Sequence, residues 1–307
     1  MKRHIKLNFV DFWDTFDPFN NYFYNLLKKY YSIEISDDPD FVICSSFGKD
    51  YRKYKCIRIF YTGENARPNF HRYDYAFSFD YTGNPNNYRL PFYAFYINGC
   101  DLVREADVDF EKIMAEKTEF CNFVYSNPKA RKRVKFFQRL SKYKRVDSGG
   151  RYLNNIGSPV VDKLEFIKKY KFTIAFENFS YPGYTSEKIV EPLKAYSLPI
   201  YWGNSLVHRD FNTKSFLNYY DFENENALIE KIIELDRNDD LYLDYLKQPC
   251  FHGNKTSHFL DPESVIDHFN YLFNNSKKPV AQSSFDRVLS IHKNPSTWVE
   301  SVSGVMH

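Results

Sequence analysis

Residues 177–188, within the stretch FENFSYPGYTSEKIVEPL, bring together two glutamates, an asparagine, two tyrosines and a lysine directly after the apolar run Phe172 to Phe176. Strand-to-helix links in α/β proteins usually need only about 2 to 6 residues of turn chemistry. This one is longer and chemically richer. Thr185 or Ser186 reads as the N-cap of a following helix, with Glu187 in its first turn. A helix N-terminus offers free amides and a positive dipole end, which suits a phosphate. Lys188 would add a point charge for that phosphate and Glu187 a carboxylate for sugar hydroxyls. The same residues also read as a well-capped helix with no ligand. Pro192 falls deeper in the helix than proline ordinarily does and removes a backbone bond.

A second stretch, SGGRYLNN at 148–155, follows the short strand RVD. Its two glycines allow close backbone approach to a ligand, and Arg151 offers a bidentate fork to a diphosphate. Gly-Gly after a strand is also an ordinary turn. The pattern is neither GxGxxG nor a P-loop, which counts against a Rossmann dehydrogenase and an NTPase. A third stretch, FYTGENARPNF at 60–70, ends a strand and presents one carboxylate, Glu64. A loop carboxylate is ordinarily just solvated; as a base, Glu64 would have to face the phosphate site across a cleft.

Other features carry less chemistry. The segment from Lys129 to Arg145 is strongly basic, but Val134, Phe137 and Leu140 give it an apolar stripe, so its charges read as a solvated face. Contact with an anionic membrane surface or an RNA is the alternative. Asp107-Val108-Asp109 has the DxD form of metal-dependent sugar transferases but lies in a charged connection, not after a strand. The eight histidines form no HExxH or similar pair, and the five cysteines no CxxC, so no metal site and no disulfide framework is expected. A net charge of +3 speaks against a surface built for nucleic acid. The Asn178, Asn254 and Asn274 tripeptides read as chance matches to the glycosylation pattern. Lys6 and Asp11 interrupt the apolar start before it could act as a signal peptide, and no stretch is long enough to span a membrane. These features suggest a cytoplasmic protein. Aromatic residues reach 19%, which reflects either codon preference or stacking surfaces for sugars or bases.

The elements that must position these residues alternate strand and helix. Ile5–Val10, Phe41–Phe47, Cys56–Tyr61 and Asp74–Phe79 read as strands, with a helix over Tyr22–Tyr31. After a charged stretch from Asp101 to Glu119 the rhythm restarts: strand 121–127, helix 131–143, strand 145–147, a helix near 160–170, strand 171–176, helix 187–196, strand 199–203. Two α/β units with mostly parallel sheets are expected, over residues 1–115 and 116–270, with a tail at 271–307. Val265, Ile266, Phe269 and Leu272 mark an amphipathic helix near the end.

Five motifs in this order, FYTGENARPNF, FVYSNP, VDSGGR, YKFTIAFENFSYPGYTSEKI and LPIYWG, resemble the α-1,3/4-fucosyltransferases of glycosyltransferase family ten, the bacterial members most closely. The resemblance runs from about residue 40 to 225. It implies a GT-B fold, two Rossmann-like domains facing a central cleft, with GDP-fucose held mainly by the second. It further implies inverting transfer of L-fucose to a Galβ-GlcNAc or Galβ-Glc acceptor, as in Lewis antigen synthesis. Glu64 falls at the position of the family's general base. Asn178, Tyr184, Glu187 and Lys188 match positions that hold the nucleotide sugar, with Glu187 also counted among the catalytic pair, and Arg151 resembles the arginine that meets the phosphates. No metal cofactor is implied, because protein groups can offset the diphosphate charge. The heptad repeats and basic tail of some bacterial members are not matched, and peripheral membrane association is left open. Rival readings are a GT-B enzyme for another nucleotide sugar, an inactive nucleotide-sugar binding protein, and an RNA-binding protein using the basic helix.

Overall fold

In the computed structural model, residues 1–97, 101–275 and 278–282 are described; Cys100 and most of the expected tail lie outside them. The chain divides into two compact units.

The first unit holds Met1–Ser78, Thr82–Leu90 and the chain from Pro262 onward. Its strands are β1 (His4–Val10), β2 (Ser32–Ile35), β3 (Phe41–Cys44), β4 (Ile57–Tyr61), β5 (Tyr75–Ser78) and β6 (Asn87–Arg89), all parallel in the order β2-β1-β3-β4-β5-β6. Every position of β3 and β4 is buried, as in parallel strands covered on both faces. Helix α1 (Tyr22–Leu27) starts where the Asn21 side chain accepts the Tyr24 N–H at 3.0 Å. The short strands β2 and β6 escape a pattern search because neither has a buried run.

The second unit holds Phe79–Tyr81 and Pro91–Asp261. Its strands β7 (Glu119–Phe123), β8 (Val146–Ser148), β9 (Tyr170–Phe176), β10 (Leu198–Trp202) and β11 (Leu217–Asn218) are parallel in the order β11-β10-β9-β7-β8. Helices α2 (Phe110–Glu116), α3 (Arg131–Leu140), α4 (Lys163–Lys168), α5 (Glu187–Lys194), α6 (Glu225–Arg237) and α7 (Asp239–Leu246) accompany them. Alternating side chains of β9 serve two cores. Phe172, Ile174 and Phe176 join Phe136, Phe137 and Leu140 of α3, whereas Ala175 joins Ile189, Val190 and Leu193 of α5. Burying each such phenylalanine contributes about 2 to 3 kcal/mol, so β9 is a rigid base for the segment that follows it.

The expected boundaries shift at both ends. Residues 91–115 belong to the second unit: Leu102 is fully buried in its core, and Arg104 and Asn254 exchange two hydrogen bonds of 2.8 Å. The final helix α8 (Pro262–Asn274) belongs to the first unit instead of the second. Its Phe269 lies 4.8 Å from Phe77 and its Phe273 4.6 Å from Phe41, ring to ring. An apolar stripe announces that a helix packs, but not on which sheet. Two separate parallel sheets of six and five strands with flanking helices are the paired Rossmann-like units of the GT-B class. No helix among the described residues is long and apolar enough to cross a membrane.

Candidate functional site

The connection from β9 to α5 folds around a buried carboxylate. Glu177, fully buried, accepts the Ser186 N–H and the Ser186 hydroxyl, each at 2.7 Å, and so closes the loop at its two ends. Ser186 occupies the N-cap position of α5, but its hydroxyl is turned to Glu177, and no side chain caps the helix. The expectation of a conventional cap is thereby corrected. The first amides of α5 are left for another acceptor. Gly183 crosses at φ +89°, where an added Cβ would lie 2.4 Å from the Phe79 carbonyl oxygen. Its N–H donates to Asn204 Oδ1 at 2.6 Å, and Asn204 Nδ2 donates to Thr185 Oγ1 at 3.0 Å.

Lys188 stands in this frame with its Nζ 3.5 Å from Glu177, 3.1 Å from Glu187 and 2.9 Å from the Ser186 hydroxyl. Burial works against its charge, but the Glu177 and Glu187 carboxylates outweigh this and hold its pKa well above the ordinary lysine value. Burial likewise acts to raise Glu187, and here Lys188 and Lys163 prevail, keeping its carboxyl below the usual range. Glu177 goes the other way: burial lifts it, and Lys188 offsets only part of the rise. Glu187 is therefore an anion suited to accepting hydrogen bonds from hydroxyls.

A second cation, absent from the sequence-based expectation, completes the cluster. Arg133 of α3 is 1% exposed, lies 4.0 Å over the Tyr125 ring, and donates to Asn178 Oδ1 at 2.7 Å and to the Asn127 carbonyl at 2.9 Å. Its buried Nε has no hydrogen-bond partner among the described residues. Burial lowers its pKa, with Tyr125, Glu177, Tyr184 and Glu187 close enough to oppose that. Tyr125 is fixed in turn by its hydroxyl, 2.8 Å from the Ile174 carbonyl oxygen. The signal for Arg133 was legible: within α3, Arg133, Phe136, Phe137 and Leu140 share one buried face, and an arginine on an apolar stripe is buried for a reason. Of the expected stripe, Phe137 and Leu140 lie on this buried face, whereas Val134 is only partly buried.

Of the expected residues, Asn178, Tyr184, Glu187 and Lys188 are gathered here. Tyr184 is buried, its ring 5.3 Å from Phe79. Arg151 is not gathered: it is exposed and makes no hydrogen bond or ion pair among the described residues. The glycines before it serve packing. A Cβ on Gly150 would meet the Tyr125 carbonyl oxygen at 1.9 Å, so the backbone they admit is that of Tyr125. Glu64 belongs to the first unit, exposed in the loop after β4, where its N–H donates to Thr62 Oγ1 at 3.1 Å. Asp109 of the DxD sequence caps α2 by accepting the Lys112 N–H at 2.9 Å. Lys132 and Arg139 on the basic helix are engaged with Tyr219 and Glu225.

Comparison with known proteins gives a consistent result. Residues 7–96 match the family described as alpha-(1,3)-fucosyltransferase FucT N-terminal domain, and residues 114–263 match glycosyltransferase family 10 (fucosyltransferase) C-term. Alpha-(1,3)-fucosyltransferase FucT of Helicobacter pylori is 30% identical over 89% of this chain, which spans 61% of that relative's length. Alpha-(1,3)-fucosyltransferase B of Drosophila melanogaster is 39% identical over 34% of this chain and 24% of its own. A crystal structure of an alpha1,3-fucosyltransferase with GDP-fucose superposes with a TM-score of 0.78 at 28% identity, covering 90% of this chain and 93% of the other.

Proposed function

The chain belongs to glycosyltransferase family 10, and from that premise we propose that it transfers L-fucose from GDP-β-L-fucose to a hydroxyl of GlcNAc or Glc in Galβ-GlcNAc or Galβ-Glc acceptors. The 3-hydroxyl is preferred, the 4-hydroxyl the alternative, and the products are Lewis-type glycans. The observation that carries the reading is the uncapped N-terminus of α5 with Lys188, Glu187, Asn178 and Arg133 around it. Such a terminus with two cations suits a diphosphate. The carboxylate beside it suits the hydroxyls of the attached sugar.

In the proposed step the acceptor hydroxyl gives its proton to Glu64 while its oxygen bonds to the anomeric carbon of fucose. The bond from that carbon to the GDP oxygen breaks on the opposite side, and the configuration inverts. GDP leaves as an anion stabilised by Arg133, Lys188 and the amides of α5, so no second carboxylic acid is needed to protonate it, unlike in glycoside hydrolysis. We assign the phosphate-binding arginine to Arg133, not Arg151, because Arg133 has buried donors directed at the cluster. Supplying GDP-fucose with lactose, N-acetyllactosamine and lacto-N-biose, and determining the linkage by NMR, tests the reading. Absence of fucosylated product from all three would overturn it. Product only from GDP-mannose or a UDP-sugar would favour another donor, and GDP-fucose binding without transfer would favour an inactive binding protein.

A further inference from the structure

In the first unit, the chain leaves β1 through DFWDTFDPF (11–19), a run that interleaves aromatic and acidic residues with unusual density. The rings are not merely collapsed together. Phe12 stacks on Phe16 at 3.9 Å, Phe16 supports Trp13 edge-on at 5.3 Å, and Trp13 stands 6.2 Å from Phe47, nearly perpendicular to it. Despite this support, Trp13 is 42% and Phe47 52% exposed. Large rings backed by other rings and still open to water form a rigid apolar surface, a feature that marks binding sites more often than it marks plain surface.

The position of this surface is specific. β1, β3 and β4 are adjacent and parallel, so the loops carrying Trp13, Phe47 and Glu64 all leave the same edge of the sheet at the carboxyl ends of neighbouring strands, which is where open α/β sheets bind ligands. The loops are also tied together. Asp11, at φ +61°, accepts the backbone N–H groups of Asp50 and Tyr51 at 2.7 and 2.9 Å, and its carbonyl accepts the Phe47 N–H at 2.9 Å. A non-glycine residue in that conformation is strained and persists where its surroundings fix it. Next to Phe47, the Ser46 hydroxyl lies 2.8 Å from Thr62 Oγ1, the atom that accepts the Glu64 N–H. The backbone segments carrying Phe47 and Glu64 are thus joined through one short polar chain.

We propose that Trp13 and Phe47 form an aromatic platform that receives the apolar face of a pyranose ring of the acceptor and sets its hydroxyl against Glu64. A pyranose has one face of C–H groups that covers an aromatic ring well, and its hydroxyls at the rim need polar partners. Asp14, exposed and without a partner among the described residues, is beside Trp13 to accept one of them. The platform rests on the fucosyl-transfer reading for its role, not for its existence as a sugar site.

The test uses the full chain with N-acetyllactosamine. Trp13→Ala and Phe47→Ala are each expected to raise the acceptor KM about tenfold or more, leaving the KM for GDP-fucose within about twofold. Trp13→Tyr, which keeps a ring, should recover most of the loss. Saturation-transfer NMR of the sugar without donor reads the platform independently of turnover. Its signal should be strong with the unmodified chain and lost in Trp13→Ala, with thermal melting confirming that each variant folds. Unchanged acceptor KM in both alanine variants, or an equal rise in donor KM, overturns the proposal. An unmodified chain that makes no product yet gives a Trp13-dependent NMR signal removes the fucosyl-transfer reading and leaves the sugar site standing. Product formed without any dependence on Trp13 or Phe47 does the reverse, and neither product nor signal removes both.

Discussion

At the scale of single residues, the proposed donor cluster is a set of charges that cannot be changed one at a time without consequence. Arg133 has a desolvated guanidinium with an uncommitted Nε, so its contacts to a diphosphate would be charge-assisted and dry. Removing two such contacts costs about 3 kcal/mol, or roughly 100-fold in kcat/KM. Arg133→Ala is therefore expected to lose about that much for GDP-fucose, and Arg133→Lys to regain little, since the ammonium lacks the fork. Arg151→Ala should stay within about twofold. Steady-state kinetics on the three variants decides between the arginines, and a large loss at Arg151 alone would reverse the assignment. Lys188 raises a different question, because Glu177 and Glu187 both depend on it. Lys188→Met leaves two carboxylates facing each other without a cation and should cost about 3 kcal/mol of stability near neutral pH. The pH dependence of that deficit follows from Glu177. Burial already raises its pKa above the ordinary carboxyl value of about 4.5 in the folded state, with Lys188 restraining the rise. Without Lys188 the folded state takes up protons at still higher pH than the unfolded chain, so stability increases as pH falls from the raised value towards about 4.5. Thermal melts of both proteins from pH 8 to 5 should show the gap narrowing. A gap that widens on acidification contradicts the pairing.

At the scale of elements, the cluster depends on two backbone segments being very close. Gly150 follows β8 and presses against Tyr125, beyond β7, whose ring seats Arg133. Gly150→Ala would drive a methyl into the Tyr125 carbonyl at 1.9 Å. An overpacking cost of about 2 to 3 kcal/mol is expected, together with weaker GDP binding in calorimetry, because the Tyr125 shift moves Arg133. Loss of stability with GDP affinity intact would separate the glycine from the site. The same pair of elements shows what the sequence disclosed and what it withheld. The run Phe172 to Phe176 and the capping pattern at Ser186 located β9 and α5 correctly, because both signals are local. Arg151 was chosen for a local reason too, an arginine next to two glycines, and Arg133 was not singled out. What sets Arg133 apart is the face of α3 that packs on β9 and the partner of Gly150, and both are tertiary facts. Glu177 was passed over for the same reason: nothing in FENFSYPGYTSEK marks which carboxylate turns inward to hold Ser186.

At the scale of the whole molecule, the chain completes its first unit with its last described helix. α8 lays Val265, Ile266, Phe269, Leu272 and Phe273 into buried positions, and Arg3 beside β1 donates to Asn274 Oδ1 at 2.7 Å and to the Phe273 carbonyl at 2.9 Å. The first sheet is thus covered by a helix that begins at Pro262, far along the chain from the end of its last strand at Arg89. Such non-local closure makes the first unit slow to form and sensitive to damage at its far end. Phe269 sits between Phe23 at 5.9 Å and Phe77 at 4.8 Å, with no exposure. Phe269→Ala should remove about 3 to 5 kcal/mol from the unit that carries Glu64. The proposed donor residues Arg133, Asn178, Glu187 and Lys188 all belong to the other unit, so GDP affinity by calorimetry should remain within about twofold at a temperature where urea unfolding already shows an early first transition. Transfer to the acceptor, for which Glu64 is the proposed base, should fall with that transition. If GDP affinity and the early transition instead collapse together, the two units do not divide the labour of donor binding and base catalysis in the way proposed.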